Sequence, residues 1–538
     1  MRSSGIRTAI RSEQNSISKR RRGHSGGADR SPLRLILLLA FAVTLIPSAI
    51  FAQNDGFNHP ELNWSTIETA HFFVHYHDGA ERTAKVVAKV AEDIYGPVTT
   101  LYNHEPDQKV SFVLKDYNDY SNGAAYFYDN KIEIWAPALD FDLRGTHNWL
   151  RNVVTHEFTH IIQIQTSMKF GRRVPGIYLQ WLGYESERRQ DVLYGYPNVI
   201  VSYPISGFVV PSWFAEGVAQ YNRPQLNYDY YDSHRDMILR MYALDGNMLS
   251  WSEMGVFGKT SLGNESSYNA GFALVKYISE TYGADVIPRI SANLSSLDAL
   301  TIDDAIERAI GKSGKQLYDE WRQQIVAQYT LRVDPIRKNK VEGESIGSVG
   351  FGNFYPAFSP DGRKMAYTST KTADYFGLSS LYIYDLETKK EEAIDEKVHS
   401  SLSWSPDGRR IYYSKITTDN PGWYSLSDIY EYDLVARKEK RLTFALRALN
   451  PSVSPDGKRI VFATERDGTM NIGIVESDGK NYQRVTNFRN GDQVFTPKWS
   501  PDGNEVVFGW SLNEAQDVVR LTVADGKMEA LIPGEEDA

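Results

Sequence analysis

"VVTHEFTHIIQ", residues 153–163, sets His156 and His160 four positions apart, with Glu157 directly after the first. On a helix, side chains four apart share a face, so both imidazoles reach one metal ion. Glu157 is rotated by about 100° from His156. It is poorly placed to be a third ligand and well placed to address a water on the ion. Trp149, Leu150, Val153, Val154, Phe158, Ile161 and Ile162 recur at helical spacing, which predicts a mostly buried helix. Thr146 is its expected N-cap. Histidines on a buried helix are also common as satisfied core residues. By itself, therefore, the stretch leaves a metal site and a polar core both open.

A catalytic zinc takes three protein ligands and keeps a fourth position open. "PSWFAEGVAQY", residues 211–221, offers the third in Glu216, 60 positions after His156 on a second predicted helix. Trp213, Phe214, Val218 and Ala219 read as core, and a carboxylate buried among them is costly unless paired. A metal would pair it, and so would a salt bridge. Gly217 is expected to let this helix approach the first one closely.

"HEFTH" followed by "WFAEG" resembles the gluzincin metallopeptidases, the thermolysin-like zincins, and in particular their exported bacterial branch. The resemblance covers roughly residues 64–330. It implies an α+β zincin-type domain with one Zn²⁺ per chain, held by His156, His160 and Glu216, and with Glu157 as general base. It also implies hydrolysis of peptide bonds in a peptide or protein substrate by a metal-activated water. In that family an acid often stands four positions after the third ligand. Here the residue is Gln220, which accepts a bond from an imidazole N–H but does not raise its basicity as a carboxylate would. Tyr221 and Tyr268 are candidates for a second-shell or oxyanion donor, each with a reading as a packing aromatic beside it. "KIEIWAP", residues 131–137, is the expected edge strand bordering the cleft. Residues 170–211, rich in Gly, Pro and Tyr, are expected to form a flap or an apolar contact surface.

The last third is repetitive. "YPAFSPDGRKMAYTS", "SLSWSPDGRRIYYSK", "NPSVSPDGKRIVFAT" and "TPKWSPDGNEVVFGW" place Ser359, Ser405, Ser454 and Ser500 at intervals of 46, 49 and 46. Proline presets the turn, aspartate bonds the local backbone, and glycine accepts positive φ. Further strand-like runs follow each turn, so the unit reads as a four-stranded propeller blade. The repeats resemble the TolB-type β-propeller. Such rings usually hold more than the four blades visible here, which leaves open whether this one is complete. The resemblance implies protein–protein contacts, so the propeller is expected to gate substrates or dock a partner.

The expected organisation is a signal peptide over 1–52, the metallopeptidase domain over 53–335, a linker over 336–345 and the propeller over 346–538. The leader reading rests on a basic head, the apolar run of residues 35–46 and a small-residue end. That run is too short to span a membrane. Residues 1–34 carry nine Lys/Arg against two Asp/Glu, which leaves 50 against 66 in the remainder. So acidic a body argues against nucleic-acid binding. The chain has no cysteine. Disulfides, thiol chemistry and an acylated N-terminal cysteine are thereby excluded. An exported protein, periplasmic or secreted and not a lipoprotein, is expected. A serine-peptidase reading fails. "GHSGG" lies in the leader, and "GESIG" lies in a polar stretch without the strand–turn–helix context that a nucleophile needs. The rival to the peptidase is a non-catalytic scaffold that binds proteins through the propeller, with a degenerate zincin domain.

Overall fold

A computed structural model describes residues 59–139, 142–184, 197–221, 229–347, 349–419, 422, 424–512 and 515–532. The chain divides into a short unit, Met1–Pro60, and a large one, Glu61–Ala538. The expected leader lies outside the described residues. No described helix is long and apolar enough to cross a membrane.

The large unit opens with a five-stranded mixed sheet. Its strands are β1 (Trp64–Glu68), β2 (Phe72–His77), β3 (Val110–Lys115), β4 (Gly123–Tyr126) and β5 (Lys131–Trp135), in spatial order β1-β2-β3-β5-β4. Strands β2, β3 and β5 run parallel, and β1 and β4 are antiparallel to their neighbours. Parallel neighbours need a crossover. Helix α1 (Glu81–Tyr102) supplies the one between β2 and β3. Alternation along the strands buries Phe72 and Val74, then Val110, Phe112 and Leu114, then Ile132 and Ile134. Phe158 of α2 (Trp149–Thr166) packs its ring on Phe72 at 5.3 Å, which joins that helix to the sheet.

"KIEIWAP" is therefore not the edge. Its strand, β5, lies between β3 and β4, and the outer position belongs to β4. The N-cap of α2 also differs from expectation. It is Asn148, whose Oδ1 accepts from the Arg151 N–H at 3.3 Å. Thr146 instead donates its hydroxyl to Gln516, in the propeller.

After α2 comes an antiparallel ribbon, β6 (Gly176–Tyr184) and β7 (Pro197–Ser206). Six α-helices follow among the described residues: α3 (Ser212–Gln220), α4 (Ser233–Asp245), α5 (Ser261–Tyr282), α6 (Val286–Leu294), α7 (Ile302–Ile310) and α8 (Gly314–Lys338). They extend the same apolar core, through Trp213, Leu274, Ile290 and Trp321. Helix α8 continues to Lys338, past the start of the stretch read as a linker.

Four four-stranded antiparallel sheets follow, as propeller blades do. Each SPDG turn joins the first two strands of its sheet. The serine hydroxyls donate to the aspartate two positions on, at 2.5–2.6 Å, and the glycines sit at φ of 69–73°. Apolar seams between successive sheets, such as Val461 and Ile472 against Val506 and Phe508, bury the blade faces.

All four sheets touch the N-terminal region. The Asp467 carboxylate accepts from the backbone N–H groups of Arg82 and Thr83 at 2.8 and 3.0 Å. It thus caps α1, whose own N-cap, Ala80, offers no side-chain bond. Arg447, half-buried, pairs with the buried carboxylates of Asp116, Asp119 and Glu465. Asp119 also accepts from the Ser427 N–H at 2.7 Å. Asp142 faces Tyr355 and His399 at 3.1 and 2.8 Å.

Candidate metal centre

Helices α2 and α3 bring the three candidate ligands together. His156 Nε2 lies 3.0 Å from Glu216 Oε2, His160 Nε2 lies 3.3 Å from the same oxygen, and the two Nε2 atoms are 3.1 Å apart. All three side chains are buried. Two imidazole nitrogens and a carboxylate oxygen converging on one point form a set of lone-pair donors, and such a group could hold a metal ion. The three groups also pair electrostatically with one another. Burial disfavours an ionised Glu216, but the two histidines override it and hold the carboxyl far below its ordinary range. Burial likewise lowers His160, while Glu216 overrides it and brings the imidazolium up to about 8.

The position of Glu216 depends on close helix packing. A Cβ on Gly217 would lie 2.3 Å from the Gly271 carbonyl oxygen, and a Cβ on Gly271 would lie 2.3 Å from that of Trp213. Two glycines thus let α3 and α5 touch backbone to backbone. The expectation that Gly217 faces the histidine helix is corrected: it faces α5.

Glu157 is buried beside the edge strand β4. Its carboxylate receives the Ala125 N–H, while burial raises its pKa and the two histidines partly offset the rise. Strand and carboxylate are so close that a Cβ on Gly123 would lie 2.5 Å from Glu157 Oε1. Sequence reasoning missed Gly123. Its only signal was a glycine within a short stretch of small residues ahead of "KIEIWAP".

The remaining candidates separate. Tyr268, on α5, is half-buried beneath Arg144, whose guanidinium stands 5.0 Å from its ring. Burial pushes its hydroxyl well above the ordinary range, and the charges of Glu216 and Glu157 push it further against the opposing Arg144. Arg144 is itself fixed by a bidentate pair with Glu265 at 2.8 and 2.9 Å, which sequence reasoning did not find. Tyr221 packs its ring on Phe272 at 6.3 Å. Gln220 is buried, and neither atom of its amide has a hydrogen-bond partner among the described residues. The expected bond from Gln220 to a ligand imidazole is therefore not formed.

Comparison with known proteins bears on the C-terminal part of the chain. Residues 339–538 match the family model of the TolB beta propeller domain. The C-terminal part is a TolB-like β-propeller. Over 189 residues the chain is 28% identical to the Tol-Pal system protein TolB of Francisella tularensis subsp. mediasiatica, covering 34% of this chain and 41% of that one. Over 152 residues it is 34% identical to the uncharacterized protein Atu1656 of Agrobacterium fabrum, covering 28% and 48%. A crystal structure of TolB from Acinetobacter baumannii aligns at 24% identity with a TM-score of 0.30, covering 35% of this chain and 45% of that chain. The chain thus spans less than half the length of these curated relatives. The TolB-like propeller lies outside the histidine group, which belongs to the region before it.

Proposed function

We propose that this chain is an exported zinc-dependent peptidase of the gluzincin type. The observation that carries the reading is the convergence of His156, His160 and Glu216 on one point, with Glu157 buried next to them and bonded to the outermost strand β4. Two imidazoles and one carboxylate are a common ligand set for catalytic zinc, and the ion, when bound, supplies Lewis acidity and a water of lowered pKa. Glu157 is the general base. It takes the proton of the attacking water and returns it to the leaving amine. Strand β4, paired only with β5 among the described residues, offers its outer edge to an extended peptide, by strand addition. Tyr268, held under Arg144, is the candidate donor to the oxyanion.

The propeller's part in this reading is to gate substrates or to dock a protein partner. Loop residues Asp142 and Thr146 touch its first and last sheets, and Arg144 between them reaches the tyrosine of the site. Access to the site and the seat of the propeller thus share one loop.

The test is metal content followed by activity. Full chain purified without chelator is expected to carry about one zinc. Glu216→Ala is expected to lose it. Glu157→Gln is expected to keep zinc and to lose peptide hydrolysis by a factor on the order of 10²–10⁴. A chain that takes up no zinc, even when zinc is supplied, would sink the proposal. The second reading, a protein-binding scaffold working through the propeller, would then stand. It is favoured by the TolB-like match and by the unpartnered amide of Gln220.

A further inference from the structure

The β6–β7 ribbon is unlike the rest of the surface. Apolar side chains are exposed on both of its faces. One face carries Leu179, Trp181, Val201 and Tyr203, with Trp181 66% and Tyr203 72% exposed. The other carries Tyr178, Leu182, Tyr184 and Ile200, with Tyr178 66% and Ile200 60% exposed. Neither strand contains a charged residue. In the middle of the ribbon, Gln180 donates to Ser202 across the strands at 3.0 Å, so this polar pair satisfies itself. A contiguous apolar surface of this kind marks an interaction site.

We infer that the ribbon docks the protein on a lipid bilayer, lying in the headgroup region. A groove on one protein partner would cover one face and leave the other wet, whereas the interfacial layer contacts both. Tyrosine and tryptophan, with an apolar ring and a polar tip, favour that layer. Among the described residues each ribbon strand pairs only with the other, and outer N–H and C=O groups left that way forbid the hydrocarbon core and fit a depth where water and headgroups reach them. The connecting residues 185–196 include Glu185, Glu187, Arg188, Arg189 and Asp191, and such a connection does not cross a bilayer cheaply. The exposed Arg173, at the foot of the ribbon, lies where anionic headgroups would meet it. The ribbon is rooted beside the proposed cleft. Lys169, just after α2, donates its N–H to the Gly207 carbonyl, and Phe208 packs on Phe127, one residue beyond β4. Docking therefore holds the strand edge near the membrane surface.

The test is sedimentation of the full chain with vesicles of phosphatidylethanolamine and phosphatidylglycerol. The wild type is compared with a variant combining Leu179→Ser, Trp181→Ser, Ile200→Ser and Tyr203→Ser. These side chains are exposed, so unchanged thermal unfolding of the variant is the control for folding. The expected result is that the wild type sediments with vesicles and still does so at high salt, as apolar contact requires. The variant should lose binding by a factor on the order of ten or more. The inference is overturned if the wild type stays in the supernatant, or if the variant binds equally well. It is also overturned if the wild type forms a dimer that the variant loses while neither binds vesicles, since the ribbon then pairs with a second copy.

Discussion

Gly123 has no side chain where there is no room for one. A Cβ there would lie 2.5 Å from Glu157 Oε1 and 2.6 Å from Val153 Cγ2. Gly123→Ala is expected to push the Glu157 carboxylate off its perch under Ala125 while leaving His156, His160 and Glu216 in place. The expected outcome is full zinc content with peptide hydrolysis lowered on the order of 100-fold, because a base displaced by about an ångström loses that much. Metal analysis beside a steady-state assay separates the two effects. The histidines and Glu157 were legible in sequence because four residues of helix fix their geometry locally. Glu216 was legible because a lone acid in an apolar run calls for a partner. The roles of Gly123 and Arg144 were not legible. One depends on which strand lies at the sheet's edge, the other on a contact with Glu265 across 121 positions.

At the scale of elements, the contact between α3 and α5 decides where Glu216 stands. Gly217→Ala forces a methyl against the Gly271 backbone, which cannot move aside as a side chain can. Such overpacking is expected to cost about 1–3 kcal/mol, measured by chemical unfolding, and to reduce zinc retention in parallel. The turn glycines of the SPDG repeats were predictable, since proline and glycine dictate local backbone. The edge strand was not. β4 reads "GAAY", too short and too small to show the alternation that marks a strand. The β6–β7 ribbon escaped for the opposite reason. With both faces apolar, period two disappears from the sequence, and only a Gly/Pro/Tyr-rich stretch remains to be read.

Over the whole molecule, the propeller and the region before it share buried charge. Arg447 balances Asp116, Asp119 and Glu465, all nearly inaccessible. Arg447→Ala leaves three buried carboxylates without their cation and is expected to cost about 3–5 kcal/mol, seen as a lower midpoint of thermal unfolding. Removing the whole propeller would take Arg447 and Glu465 with it and leave Asp116 and Asp119 without their cation, so gating is better tested with point variants in the 142–146 loop. Those variants are expected to change cleavage of folded proteins more than of short peptides. Asp467→Ala removes the cap on α1 and is expected to cost about 1 kcal/mol, by the same measurement. That cap stands 385 positions downstream of the helix it completes. A ribosome therefore releases α1 long before its finishing carboxylate exists. Domains tend to fold as they emerge, so the N-terminal region takes shape first and gains this cap, worth about 1 kcal/mol, only once the third blade is made. The last increment of that helix's stability is thereby tied to the chain being carried through to the propeller.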